Sequence, residues 1–334
     1  MPRPIATLPI APLNDWNSRR EFLRLGASLV AGATLAGAQA PIEVPDDKPT
    51  FSSSVKVVDL VATVRGKDSQ FVRSLTKDDF TLLEDGRPQT IRYFSQESEL
   101  PLTIGLMIDT SMSQARLLDS ERSASLRFVD QVLKPKDQVF MVQFDFAILM
   151  RQRLTSSRKA LENALPFLDI PSNNELRMQR GGGTLLFDAV VKASNEVLRG
   201  RENDRKAMVI LSDGEDNGSE FGLSEAIEAA QKADTLIYSI LFSDAVYGIG
   251  SYGADGRNAM QKLAKQTGGS YFEVSKKVGI DQIYQLIQEE MRSQYSMGFT
   301  SDRPVEISEF RTLKLTTKQK GLSVQARNRY WAKR

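Results

Sequence analysis

Three short stretches of this chain gather oxygen-bearing side chains where apolar runs stop. Ile104-Gly-Leu-Met-Ile-Asp-Thr-Ser-Met-Ser113 ends in a carboxylate and two alternating hydroxyls, Asp109, Ser111 and Ser113. A run of this kind reads as a buried parallel strand whose C-terminal end opens into a polar loop, which is where open α/β sheets keep their sites. Gly181-Gly-Gly-Thr184 sets a hydroxyl after three glycines, and Ile210-Leu-Ser-Asp213-Gly-Glu-Asp216 ends a second apolar run in carboxylates. The chain has no His and no Cys, which removes the commonest general base, any Ser-His-Asp triad and the usual zinc ligands. Each stretch by itself has an ordinary reading. Asp and Ser after a strand are turn and cap residues, Asp213-Gly214 is a turn, and the glycines form a loop with no Gly-Lys-Ser/Thr to make it cradle phosphate.

Taken together and in this order, the three stretches resemble the metal-ion-dependent adhesion site of von Willebrand factor type A domains. The flanks look like those of the secreted bacterial VWFA-related subgroup: Leu75-Thr-Lys-Asp-Asp-Phe80 followed by Glu84-Asp-Gly86, and the closing Arg327-Asn-Arg-Tyr-Trp331. The resemblance implies that Ser111, Ser113 and Thr184 coordinate a divalent ion directly, while Asp109 and Asp213 act largely through water or by hydrogen-bonding the hydroxyls. Mg2+ is the implied ion, with Mn2+ or Ca2+ as alternatives. A hard ion of this kind takes about six oxygens and gives up water reluctantly. Neutral hydroxyl ligands leave it much of its Lewis acidity, and the open position suits a carboxylate from a protein partner. The implied function is an exported, non-enzymatic adhesion or assembly module. Two rivals stand beside it: an envelope protein whose ion only stabilises the fold, and a Mg2+-dependent hydrolase built on Asp109 and Asp213. Met112 occupies a position where many relatives have Gly, and its flexible thioether offers apolar contact to a partner. Glu215 and Asp216 are either solvated turn residues or carboxylates that tune the site towards Ca2+.

These residues need a sheet to hold them. Between residues 99 and 292 the pattern alternates strand and helix, with strands expected at 104–108, 138–144, 147–153, 207–211, 235–242 and 269–272. Leu126, Val129, Val132 and Leu133 share one helical face, as do Leu185, Ala189, Val190 and Val197. The expected fold is a doubly wound, mostly parallel α/β sheet covered on both sides. Residues 54–64 read as a strand, and 80–94 as a hairpin turning at Glu84-Asp85-Gly86. That is too few strands for an independent domain. Further short strands at 294–300, 311–317 and 322–326 point to one small β-sandwich built from residues 52–98 and 293–334, with the α/β domain inserted between them.

The glycine-rich segment 243–256 leaves the sheet edge that carries Asp109 and Asp213. It is either a mobile surface loop or a partner-binding loop using Tyr247 and Tyr252. Asn217-Gly-Ser219 matches a glycosylation sequon and is read as chance.

Residues 1–38 read as a signal peptide. Ser18-Arg-Arg-Glu-Phe-Leu-Arg24 is similar to the twin-arginine export consensus, an apolar run fills 25–36, and Ala36-Gly-Ala38 supplies the cleavage signal, with a Pro-bearing linker over 39–51. A retained anchor is the alternative, but the run is short for a span of about 20 residues and is diluted by Gly26, Gly32 and Gly37. The segment holds four Arg and two acidic residues, so the remaining chain is neutral, without the basic footprint of a nucleic-acid binder. A periplasmic or secreted protein with no stable membrane span after processing follows. Replacing Arg19 and Arg20 together by Lys should leave full-length precursor in the cytoplasm, as read by cell fractionation; normal export would remove the twin-arginine assignment.

Overall fold

Four strands, β1 (Val58–Arg65), β2 (Phe80–Glu84), β3 (Arg87–Gln89) and β4 (Ile91–Ser95), precede the alternating region. There β5 (Leu102–Asp109), α1 (Leu118–Val132), β6 (Gln138–Phe144), β7 (Ile148–Thr155), α2 (Arg158–Ala164) and α3 (Leu186–Ala193) come first. They are followed by β8 (Arg205–Ser212), α4 (Leu223–Lys232), β9 (Thr235–Leu241), α5 (Ala254–Thr267), β10 (Tyr271–Glu273) and α6 (Ile280–Arg292). Strands β11 (Tyr295–Phe299), β12 (Glu309–Thr317), β13 (Ser323–Ala326) and β14 (Arg329–Ala332) come last. The computed structural model describes residues 57–96, 100–115, 118–172, 174–175, 183–201, 204–242 and 254–334. The expected signal segment and linker, Gly181, Gly182, Tyr247 and Tyr252 lie outside the described residues.

Strand β5 is buried along its whole length, as its uninterrupted apolar run demands. It lies between β6 and β8, parallel to both, with Ile104 opposite Val139 on one side and Ala207 on the other. The six-stranded order is β10-β9-β8-β5-β6-β7, and only the edge strand β7 runs antiparallel. From β5 the chain builds outward through β6 and β7, then returns to the other flank for β8, β9 and β10. The reversal falls between β5 and β8, and loops diverge from the C-terminal ends of strands at such a point. Alternate β5 residues Leu102, Ile104, Leu106 and Ile108 share a core with Phe128 and Val129 of α1 and Ile283, Tyr284 and Ile287 of α6. The Phe128 and Tyr284 rings stack at 4.5 Å, and Ser125 shares a 3.1 Å hydrogen bond with the Tyr284 hydroxyl. Helices α3, α4 and α5 pack side by side as a second layer. Among the described residues no helix is long and apolar enough to cross a membrane.

The outer strands form two antiparallel four-stranded sheets, ordered β13-β1-β11-β4 and β14-β12-β2-β3. Both mix the two ends of the chain: β1 has C-terminal strands on each side, and β2 is held by β12. Leu60, Val64, Phe80, Leu82, Met297, Phe299, Leu313 and Tyr330 belong to their shared core. Within it Arg311, only 1% exposed, donates to Ser301 Oγ, the carbonyls of Arg303 and Pro304, and Glu309. Glu84, equally buried, accepts from the hydroxyls of Ser301 and Tyr330.

One expectation is corrected in this region. Of residues 80–94, only β2 and β3 form the hairpin, turning through Asp85 and Gly86 at φ 46° and 80°. The remainder crosses to the other sheet as β4, where it pairs with β11 and Phe94 joins Phe80 and Tyr295 in one aromatic cluster, 5.9 Å and 5.5 Å away. The closing flank motif belongs to the second sheet, where Arg329–Ala332 is a strand paired with β12.

The sandwich touches the α/β sheet at one edge. Arg65 of β1 donates to Glu290 of α6 at 2.6 Å, and Ser270, just ahead of β10, donates to the same carboxylate at 2.9 Å. Phe310 and Trp331 pack edge-on at 4.9 Å with Lys232 of α4 over the Trp331 ring at 4.7 Å. Arg327 pairs with Asp234, just ahead of β9. These contacts sit at the N-terminal ends of the parallel strands, opposite Asp109. Residues 99–292 contain every strand of the six-stranded sheet and should melt cooperatively by themselves, whereas residues 57–98 should give no dispersed amide spectrum. A folded 57–98 fragment would overturn the shared-sandwich arrangement.

Candidate metal centre

The first stretch leaves the sheet at Asp109, which is completely buried. Its Oδ1 accepts the Ser111 amide at 2.9 Å and its Oδ2 accepts the Ser212 hydroxyl at 2.6 Å, so the carboxylate ties the end of β5 to the end of β8. Ser212 Oγ accepts the Gly214 amide at 2.9 Å, which fixes the start of the Asp213 loop. After Asp109 the backbone turns outward through a single 3-10 turn, Met112–Gln114. The Ser111 and Ser113 hydroxyls face each other at 3.0 Å on its exposed side, with Met112 beside them 52% exposed.

Thr110, between these ligand candidates, is buried and donates its hydroxyl to Asp145 Oδ2 at 2.8 Å. Asp145 follows β6 directly, and its carbonyl accepts the Leu185 amide at 2.9 Å. The second stretch is therefore hung from the same residue as the first. Thr184 is buried and its amide donates to Asn217 Oδ1 at 2.7 Å, from the loop that carries Asp213. Asp213 Oδ1 accepts the Glu215 amide at 3.1 Å. At Gly214, φ is +82° and a Cβ would stand 2.4 Å from the Gly256 carbonyl, so this turn presses backbone to backbone against the first turn of α5. That contact brings the C-terminal end of the 243–256 segment beside Asp213; residues 243–253, with Tyr247 and Tyr252, lie outside the described residues.

Electrostatics set this edge apart. Burial, and then the charge of Asp213, push the Asp109 carboxyl up to about 7, against the opposing pull of its Ser212 and Ser111 hydrogen bonds. Glu121, on the first turn of α1, is wholly buried and raised well above the ordinary carboxylate range, first by burial and then by Asp109 and Asp213. Neither Glu121 oxygen has a hydrogen-bond partner among the described residues, nor do the amide oxygen and nitrogen of buried Gln114. Unpaired buried oxygens and like charges near exposed hydroxyls fit a hard divalent cation. Among the described residues no group of three Asp, Glu, His or Cys side chains is placed to hold a metal ion.

Sequence reasoning missed Thr110, Gln114, Glu121 and Asp145. Only Asp145 left a signal, as a carboxylate immediately after the apolar run 138–144. Glu121 reads like any solvated helix residue until the packing is known.

A raised carboxyl makes the folded state bind protons more tightly than the unfolded one, so stability falls as pH rises from 3.8 through about 7. In chelator the wild-type chain should lose more melting temperature between pH 5 and pH 8, bracketing about 7, than Asp109→Asn does. Equal slopes by calorimetry would contradict the raised Asp109 carboxyl.

The chain matches the von Willebrand factor type A domain family over residues 103–286. No curated protein sequence matches it. Among solved structures it is similar to BatB from Bacteroides thetaiotaomicron, at 18% identity and a TM-score of 0.41, covering 57% of this chain and 97% of that one. It is also similar to a von Willebrand factor type A protein from Catenulispora acidiphila, at 12% identity and TM-score 0.47, covering 84% of this chain and 75% of that one. Proximal thread matrix protein 1 from the mussel byssus, with zinc in its adhesion-site motif, is 14% identical with TM-score 0.46 over 63% of this chain and 50% of its own. With more than half its length matched by the family, and that match spanning the sheet and both flanking helix layers, the chain belongs to the von Willebrand factor type A domain family.

Proposed function

We propose that this protein is an exported, non-enzymatic binding module that captures an acidic group of a protein partner through a divalent cation. Domains of this family commonly mediate protein interaction and often bind a divalent cation. The observation that carries the reading is the pair of facing hydroxyls, Ser111 and Ser113 at 3.0 Å, on an exposed turn directly after a buried, charge-burdened Asp109. Ser111, Ser113 and Thr184 would hold the ion, with Asp109 and Asp213 orienting those hydroxyls and the waters between. A bound Mg2+ supplies a Lewis-acidic position that an incoming carboxylate completes. Met112 offers apolar contact beside that position, and Tyr247 and Tyr252 belong to a loop that helps to choose the partner. The absence of His and Cys removes a Ser-His-Asp triad and thiol chemistry from the same edge.

Ser111 and Ser113 are better probes than Asp109, whose removal would strip a buried acceptor from Ser212. Ser111→Ala combined with Ser113→Ala should weaken Mg2+ binding by at least about 10-fold and abolish EDTA-sensitive capture from envelope extract, while melting with the wild type in chelator. If chelation instead lowers wild-type stability sharply and leaves capture intact, the ion is structural. Turnover of a substrate that depends on Asp109 would reverse the non-enzymatic assignment.

A further inference from the structure

Helix α3 begins without a cap of its own. Its N-cap residue is Leu185, which makes no side-chain cap, yet the amides of its first turn are taken by another part of the chain. Asp216 Oδ2 accepts the Phe187 amide at 2.9 Å and Ser219 Oγ accepts the Asp188 amide at 3.1 Å. Both acceptors come from the loop after Asp213. Asp216 is braced by the Ser219 hydroxyl at 2.6 Å and the Ser219 amide at 3.2 Å. The exchange runs the other way too: Asp188 accepts the amides of Glu220 at 3.1 Å and Phe221 at 3.0 Å. Immediately before the helix the two segments clasp at Thr184, which donates its amide to Asn217 Oδ1 at 2.7 Å while its carbonyl accepts the Asn217 amide at 3.3 Å.

We infer that Asn217 and Asp216 are positioning residues for cation binding, locking Thr184 to the Asp213 loop so that the second and third stretches present their oxygens as one prebuilt unit. The inference rests on the proposed reading that Thr184 and Asp213 serve a divalent cation. A hydroxyl ligand is useful only if its backbone is held. Asn217 supplies that hold in two directions, its side-chain Oδ1 accepting the Thr184 amide and its backbone N–H donating to the Thr184 carbonyl. Asp216, which the sequence offers as a solvated carboxylate or a Ca2+ ligand, has an oxygen committed to the amide of Phe187. Asn217, with its chance resemblance to a sequon, becomes the link between two ligand candidates that are 29 positions apart in the chain.

The test is Mg2+ titration calorimetry on the full chain, with melting in EDTA measured in parallel. Asn217→Ala should bind Mg2+ about 10- to 100-fold more weakly, and Asn217→Asp, which keeps the acceptor, should restore binding. Asp188→Ala removes the acceptor for the Glu220 and Phe221 amides without touching the Thr184 amide, so it should lower the melting temperature in EDTA without a comparable loss of Mg2+ affinity. Should Asn217→Ala fail to fold, hydrogen exchange on the wild type decides: Mg2+ should increase protection of the Thr184 and Phe187 amides. Wild-type affinity in Asn217→Ala, or unchanged protection, overturns the clasp alone. A wild-type chain that takes up no Mg2+ removes the cation reading and the clasp with it.

Discussion

Asp109 is a carboxylate that must be buried where a central strand ends, and the surrounding edge is arranged to hold it there. Its two oxygens are committed to the Ser111 amide and the Ser212 hydroxyl, so the ends of β5 and β8 cannot separate without stripping a buried charge of its partners. Burial and the neighbouring Asp213 raise its proton affinity, and Glu121 adds a third carboxyl to the same field. A low-dielectric pocket tolerates such a group when a proton or a cation balances it. The exposed Ser111 and Ser113 hydroxyls lie beside that unbalanced charge, where a hydrated divalent ion can reach them.

Other loops inherit their positions from this anchor through short, directional bonds. Thr110 hands its hydroxyl to Asp145, and the Asp145 backbone receives Leu185. The loop after Asp213 is bound to Thr184 and to the start of α3. Each of the three stretches is thereby tied to at least one other through a residue that need not touch an ion. The arrangement is rigid because the bonded groups are mostly backbone amides, which have no rotamer freedom to lose.

The sandwich serves the opposite edge. Neither end of the chain can complete a sheet with its own strands, so β1 and β2 borrow partners from the C-terminal segment. Glu290, Asp234 and Lys232 attach this body where the parallel strands begin. The edge bearing Asp109, Ser111 and Asp213 lies at the opposite ends of the parallel strands from these attachments. A chain without Cys relies on such packing rather than on covalent staples.

The doubly wound sheet, the strand content of both ends and the side chains of the three stretches were legible in the sequence because each is a local pattern. An apolar run has a period, and Asp109, Ser111 and Ser113 follow one within five residues. What was not legible depended on which segments become neighbours. Ile91–Ser95 joins the far sheet by pairing with Tyr295–Phe299, two hundred residues later. Glu121 and Gln114 have the chemistry of surface residues, and only the packing of α1 over the sheet removes their water. Asp145, Asp216 and Asn217 acquire their roles from amides that distant parts of the chain bring to them. Residue type and spacing thus determined what could bind, being properties of the chain read in order; tertiary structure decided what holds those residues still, because a hydrogen bond across the fold belongs to two segments at once.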